Sequence, residues 1–440
     1  MKKYIFCLLL NLIFTYNYTQ NYYLPTPQGY GANTTGGGNA SAVTVTTFAE
    51  LKSNLTAAGA KVILVSGTIT IPSGQAISAV VTNKSLIGLP GATLINDNQT
   101  SGAGILYLKP GSNNVIIRNL IFKGPGAYDI DGKDNLTADG ALNLWVDHCE
   151  FQDGQDGNFD IKGKSDNVSV SWCKFTYLKP PVAGGSGGSN DHRFSNLVGS
   201  SATDFPEDGK YSITFQNNYW GEGVKGRMPR ARNAELHIIS CFYNTSVAGA
   251  TGIGLGGGAN NSTCYVQNTN FKKVATVFSP APGDGGTVAI NYVNSLRSPS
   301  NLGTVLAPTY VTTPIPVEDV EGILTDATCG AGATLQVSAS GLITPSICTG
   351  LGVKNAFGTA GRKLDCTPTA NHELQIKIPA ANFGNTTFQV FSPTGQLLLT
   401  KNKILKSTLS TLDVNQLQSG IYVLSGRNEQ DSLQCKFYRN

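Results

Sequence analysis

A ten-residue phrase recurs along the middle of the chain and constrains what it can fold into. It reads NNVIIRNLIF at Asn113–Phe122, LNLWVDHCEF at Leu142–Phe151 and DNVSVSWCKF at Asp166–Phe175. It returns as YSITFQNNYW at Tyr211–Trp220, AELHIISCFY at Ala234–Tyr243 and STCYVQNTNF at Ser262–Phe271. Each copy alternates apolar and polar residues, as a strand does, and closes on an aromatic ring. Phe151 and Phe175 are 24 residues apart, and Trp220 and Tyr243 are 23 apart. A period in the twenties is that of a solenoid, whose repeats bury a face only by stacking on one another. No leucine pattern recurs, so a leucine-rich repeat is excluded. A parallel β-helix fits, because its coils stack one position over the same position about 4.8 Å away.

Composition agrees with that reading. Charged residues make up 14% of the 440-residue chain and hydrophobic ones 40%, which excludes a disordered protein. The 51 glycines show no collagen period, and a net charge of +4 is too small for a dedicated nucleic-acid binder. Met-Lys-Lys followed by an apolar run from Tyr4 to Phe14 has the layout of a signal peptide, expected over residues 1–20. No later stretch is long and apolar enough for a membrane span. An exported chain admits disulfides. Cys149, Cys173 and Cys241 all take the eighth place of the phrase and are expected to form an inward column interrupted by Asn218. Buried free thiols and a Cys149–Cys173 bridge both remain open. Pairing among Cys329, Cys348 and Cys366 is a further expectation. No Cys-x-x-Cys pair or Cys/His spacing suggests zinc.

The expected domains are a β-helix over 21–335, a Gly/Ser/Thr-rich linker over 336–365 and a small β-sandwich over 366–440. A short helix is expected within Val317–Ala327, after Pro316. Strands in the last domain are expected at Leu374–Ile378, Thr387–Ser392, Gln396–Leu399 and Ile421–Leu424.

Three groups of residues could carry chemistry. Asp134, Asp156 and Asp160 fall in and near the central coils, where stacking brings distant positions together. Crowded carboxylates repel unless a cation is present, and hard oxygen ligands suit Ca²⁺. The competing reading makes Asp153, Asp156 and Asp160 turn residues, since Asp-Gly pairs stand at 153–154 and 156–157. The second group is Arg227-Met-Pro-Arg230-Ala-Arg232. Alternation projects Arg230 and Arg232 together but not Arg227. The patch suits a carboxylate polymer, or else forms structural salt bridges at a solvated edge. The third is Trp145-Val-Asp147-His148, read as packing. Gly184–Gly188 lacks the ending of a phosphate loop and reads as a mobile loop on one flank.

Taken together, WVDHCEF, DGNFDIKG, VSVSWCKF, DHRFSNLVGSS, ITFQNNYW and RMPRAR resemble the pectate lyase superfamily of polysaccharide lyases, in the family's order, over roughly residues 104–245. The resemblance implies a right-handed parallel β-helix and Ca²⁺-dependent β-elimination of polygalacturonate. By the same resemblance Asp134, Asp156 and Asp160 are calcium ligands, Arg227 is the catalytic base and Arg232 grips a substrate carboxylate. Two positions depart from the pattern. Gly132 stands where many members have a second acidic residue, leaving a ligand missing or supplied by Asp131. Phe194 stands where many have a lysine, and Arg193 is the candidate to supply that cation and bind substrate. The final residues, with SPTGQLL, LQSGIYVL and CKFYRN, resemble the C-terminal sorting domain of type nine secretion, which implies export and the secretion machinery as a partner. A monomer is expected. The rival readings are a calcium-independent lyase of methylated pectin and a non-catalytic glycan-binding β-helix.

Overall fold

The structure is a computed structural model that describes residues 22–99, 104–130, 134–345, 364–369, 373–378, 384–392, 397–405, 407–427 and 432–439. The expected leader, the Asp131–Gly132 pair, Cys348 and most of the expected linker lie outside these residues. The chain divides into two compact units, one ending at Cys348 and the other running from Thr349 to Asn440.

The first unit is a parallel β-helix. Its three walls are a ten-stranded sheet, from Ala42–Val45 to Val288–Val293, and two eight-stranded sheets. The pairings between successive coils are parallel, and their register is kept except for a shift between Phe242 and Asn244 where that strand meets Asn270–Lys273. The third place of the repeated phrase shows it: Val115 lies beside Leu144, then Val168, Ile213, Leu236 and Cys264. All six side chains are buried in one continuous core. The closing aromatics form a ladder through that core. Phe122, Phe151, Phe175, Trp220, Tyr243 and Phe271 follow one another at centroid distances of 4.8, 5.2, 5.7, 4.7 and 4.6 Å. Each such contact adds about 0.5–1.5 kcal/mol beyond the area it buries.

The coil turns its corner at the seventh place. Asn119, His148, Trp172, Asn217, Ser240 and Asn268 all have φ between +46° and +57°. This left-handed conformation is one that Asn tolerates best. At the His148 and Trp172 corners the rings stack 5.3 Å apart, and the side chain of Asn119 bonds the Gly88 and Leu335 carbonyls. Asp147, one residue before its corner, is fully buried. It accepts from Arg118 Nε at 2.8 Å and Ser171 Oγ at 2.5 Å, and lies 2.8 Å from His148 Nδ1. Arg118 also covers the Trp145 ring at 4.3 Å. Burial works against ionisation of Asp147, but the adjacent His148 and Arg118 hold its carboxyl below the usual range. The Trp145–His148 phrase is therefore packing, as the sequence suggested.

The eighth place holds Cys149, Cys173 and Cys241 as buried free thiols, with Asn218 buried between the last two and bonding Cys173 N–H and the Val170 carbonyl. Cys366 pairs with Cys435 across 6.2 Å between Cα atoms, which corrects its expected pairing with Cys329 or Cys348. The two residues are 69 apart in sequence, so local clustering gave no hint of the bond. The expected helix is the single turn Val320–Leu324. Residues 336–345 differ from a linker. Gln336–Val337 pairs with Ile343–Thr344, and Leu335 and Val337 are buried against Leu64 and Ile87.

The second unit packs a three-stranded antiparallel sheet and a four-stranded one around Leu374, Ile376, Phe388, Val390, Leu424 and Phe437. Strand Glu373–Lys377 alternates exposed and buried residues, as a strand with one covered face must.

Two outcomes test this packing. Phe175→Ala, in mid-ladder, should destabilise the protein by about 3–5 kcal/mol in chemical denaturation. Alkylation of unreduced protein, mapped by mass spectrometry, should label Cys149, Cys173, Cys241 and Cys264 in denaturant and leave them unlabelled in the native state.

Candidate active site

One eight-stranded wall brings together the residues expected to form the site. Its neighbouring strands Leu136–Asp139, Phe159–Lys162, Leu197–Val198 and Arg230–Arg232 come from four successive coils. Thr137 pairs with Asp160, and Leu197 with Arg230. Asp134 and Asp156 stand just before the first two strands and Arg227 just before the fourth.

The turn Asp153–Asn158 shapes the acidic end. Asp153 has φ +54° and caps the next coil, accepting from Leu178 and Lys179 N–H. It is the turn residue of the set. Asn158 accepts from Gly154 N–H and Asn135 Nδ2, fixing the turn against the preceding coil. Asp156 and Asp160 are thereby left to face Asp134.

All three carboxylates are buried. Burial, then Asp160 and Asp156, push the Asp134 carboxyl well above the usual range. Burial and Asp156 raise Asp160 to about 6 against the opposing pull of Arg227. The group therefore repels itself. Asp134 Oδ2 accepts from Thr137 Oγ1 at 2.6 Å, whereas Oδ1 is buried with no hydrogen bond. Gly157 keeps the space between the carboxylates open. A Cβ there would stand 2.8 Å from Asp134 Oδ1 and 3.1 Å from Asp160 Oδ1. An orphaned acceptor, mutual repulsion and an open space between oxygens fit a divalent cation with hard-ligand preference.

Arg227 closes the other side. Its Nη1 is 3.8 Å from Asp160 Oδ2, and its guanidinium lies 4.8 Å from the centre of the Phe194 ring. Its backbone has φ +54°, an uncommon conformation for a non-glycine residue and one that clusters at functional sites. Asn196 N–H donates to its carbonyl at 2.6 Å, and Met228 N–H to Gly252 O at 3.0 Å.

The remaining arginines are spoken for. Arg230 Nη2 and Arg232 Nε lie 2.7 and 3.0 Å from opposite oxygens of Asp284, and Arg232 Nη1 donates to Gly199 O. As alternation required, these two project together and Arg227 does not. A groove of about 420 Å³ beside Arg227 is lined by Phe194, Lys225, Arg227 and Arg230 together with small residues of later coils. Arg230 reaches it, and Arg232 does not line it. Arg193 is held by both oxygens of Asp191 at 2.7 and 2.8 Å, and Lys225 Nζ lies 3.2 Å from the same carboxylate. Lys225 and Asp284 carry no local signature, because their partners lie on other coils. The Gly184–Gly188 segment packs against Asp129 through two of its glycines. A Cβ on Gly185 or Gly187 would stand 2.2 or 2.1 Å from Asp129, so these glycines are needed for close packing.

Residues 23–303 match the pectate lyase family. The chain belongs to the pectate lyase family. A pectate trisaccharide-lyase of Thermotoga sp. is 36% identical over 218 residues, which cover 48% of this chain and 53% of that protein. A pectate lyase of Emericella nidulans is 32% identical over 232 residues, covering 50% and 62%. The chain thus spans about half to three-fifths of the length of these relatives. Among solved structures, a Bacillus subtilis pectate lyase mutant matches with a TM-score of 0.54 at 20% identity, over 71% of this chain and 98% of that one. That likeness concerns the fold. Residues 368–438 match the secretion system C-terminal sorting domain, and the protein is secreted or held at the cell surface.

Gly157→Ala tests the geometry of the acidic cluster. The added methyl occupies the space between Asp134 and Asp160, so calcium affinity measured by titration calorimetry should fall at least tenfold with the far-ultraviolet circular dichroism unchanged.

Proposed function

We propose that this protein cleaves polygalacturonate by calcium-dependent β-elimination. The observation that carries the reading is the convergence of Asp134, Asp156 and Asp160 on one open space, with Arg227 beside Asp160. Family membership and the lyase names of relatives above 30% identity support it.

Asp134, Asp156 and Asp160 would hold the ion. Bound there, calcium acts as a Lewis acid on a substrate carboxylate and makes the adjacent C5 proton more acidic. Arg227 in its neutral guanidine form accepts that proton and becomes the guanidinium cation. The electron pair of the C5–H bond becomes the C4–C5 double bond, and the C4–O bond breaks. The departing oxygen takes a proton from solvent, leaving an unsaturated uronide. A guanidinium is ordinarily protonated, so alkaline solution favours the reactive form. Phe194 and the Asn196 N–H hold Arg227 in place, and this fixed orientation is what a positioned base requires. Arg230 and Lys225 line the groove and suit neighbouring carboxylates of the polymer. Arg232 and Arg193 bind substrate carboxylates only where Asp284 and Asp191 leave guanidinium N–H groups to spare. The sorting domain implies delivery by the type nine secretion machinery.

The assay is the ultraviolet absorbance of the unsaturated product. Polygalacturonate with calcium should give a rising signal that a chelator abolishes. No signal with calcium overturns the lyase reading, and a chelator-insensitive signal on methylated pectin favours the calcium-independent rival. Arg227→Lys should lower turnover about 10²–10⁴-fold, the usual worth of a general base, with an unchanged melting temperature.

A further inference from the structure

A buried histidine stands behind the acidic cluster, and the chemistry proposed above makes no use of it. His192 is 5% exposed. Its Nδ1 lies 3.1 Å from Asp129 Oδ1 and its Nε2 lies 3.0 Å from Asp156 Oδ1. We propose that Asp129 and His192 are positioning residues that set the Asp156 carboxylate for calcium binding. The proposal rests on the calcium reading of the site.

The line is one of close N···O approach, without aligned hydrogen bonds at either imidazole nitrogen, and it is anchored at its Asp129 end. Asp129 is itself buried, and its Oδ2 accepts from Ser189 N–H at 2.6 Å. Gly187 N–H donates to the Asp129 carbonyl at 3.0 Å. The segment carrying His192 is thus tied to Asp129 at two further points. On the other side the Phe194 ring packs against the imidazole at 4.4 Å and lies under Arg227. Phe194 is fixed in turn by Tyr177, whose hydroxyl donates to the Phe194 carbonyl at 2.6 Å. One short segment, His192–Phe194, therefore touches both a cation ligand and the proposed base.

Asp129, Asp156 and His192 also have the composition of a metal-binding set, their ligand atoms lying within 4.8 Å of one another. The geometry speaks against an ion of their own. The ring presents a different nitrogen to each carboxylate and so fills the gap between them, whereas a single ion binds one nitrogen of an imidazole. The arrangement is that of a spacer. It stands 3.0 Å from one Asp156 oxygen and limits how far that carboxylate can swing toward Asp129. Partners of this kind commonly change metal affinity 10–100-fold when removed.

The test compares the full-length wild type, His192→Ala and Asp129→Asn by calcium titration calorimetry, with melting temperatures taken in chelator. The expected result is calcium affinity 10–100-fold weaker in His192→Ala and several-fold weaker in Asp129→Asn. In the lyase assay both variants should need more calcium for half-maximal rate yet recover wild-type turnover at saturation. Mere structural damage would not be repaired in that way. Unchanged affinity in a folded variant, or a turnover loss that added calcium does not restore, overturns the proposal. If His192→Ala does not fold, the isosteric Asp129→Asn decides. A wild type that binds no calcium removes the calcium reading and this proposal with it, an outcome distinct from a variant that binds as tightly as the wild type.

Discussion

The structure depends on in-register stacking of one coil on the next. Parallel pairing at a spacing of about 4.8 Å puts equivalent positions of successive coils side by side, however many residues separate them. The same constraint builds the core and the site. Inside, it lines up the ladder from Phe122 to Phe271. Outside, it sets Thr137 beside Asp160 and Leu197 beside Arg230. Neither set exists in an isolated coil, which explains why a chain of this kind needs many coils before it is stable or active.

The wall that carries the three carboxylates and Arg227 is costly to hold together. Three buried carboxylates push one another toward the protonated form, and Arg227 occupies a left-handed backbone conformation. Such features persist where the surroundings over-determine them. Here the surroundings are the ladder and the bonds of Asn135, Asn158 and Asn196 that cross between coils. Counter-charge is also supplied across coils. Asp284 neutralises part of Arg230 and Arg232, and Asp191 does so for Arg193 and Lys225, so the groove is less cationic than its sequence suggests.

Legibility in the sequence followed this division. The repeated phrase exposed the coil, the closing aromatics exposed the ladder, and the eighth place exposed the thiol column. All of these are periodic and need no knowledge of loops. Asp134, Asp156 and Asp160 were legible as carboxylates crowded near the central coils, whereas the role of Arg227 came from the family resemblance alone. Asp129, His192 and Asp284 were not legible, since each acts through a partner on another coil reached by a loop of irregular length. Cys366 and Cys435 stayed hidden for the same reason. The corner column was overlooked because Asn, His, Trp and Ser share no chemistry; what they share is a backbone angle.

A different turn, between Lys174–Thr176 and Leu197–Val198, is the part of the coil open to revision. Phe175 and Trp220 are ladder neighbours although they stand 45 positions apart, nearly twice the usual span. The surplus leaves the circumference after Tyr177 and returns at Ser195, and the winding resumes in step. His192, Arg193 and Phe194 all ride on that detour. A frame of this kind lets new chemistry be spliced in at one margin while the inner stack keeps its count, so a short insertion there rewrites the groove without rewriting the fold.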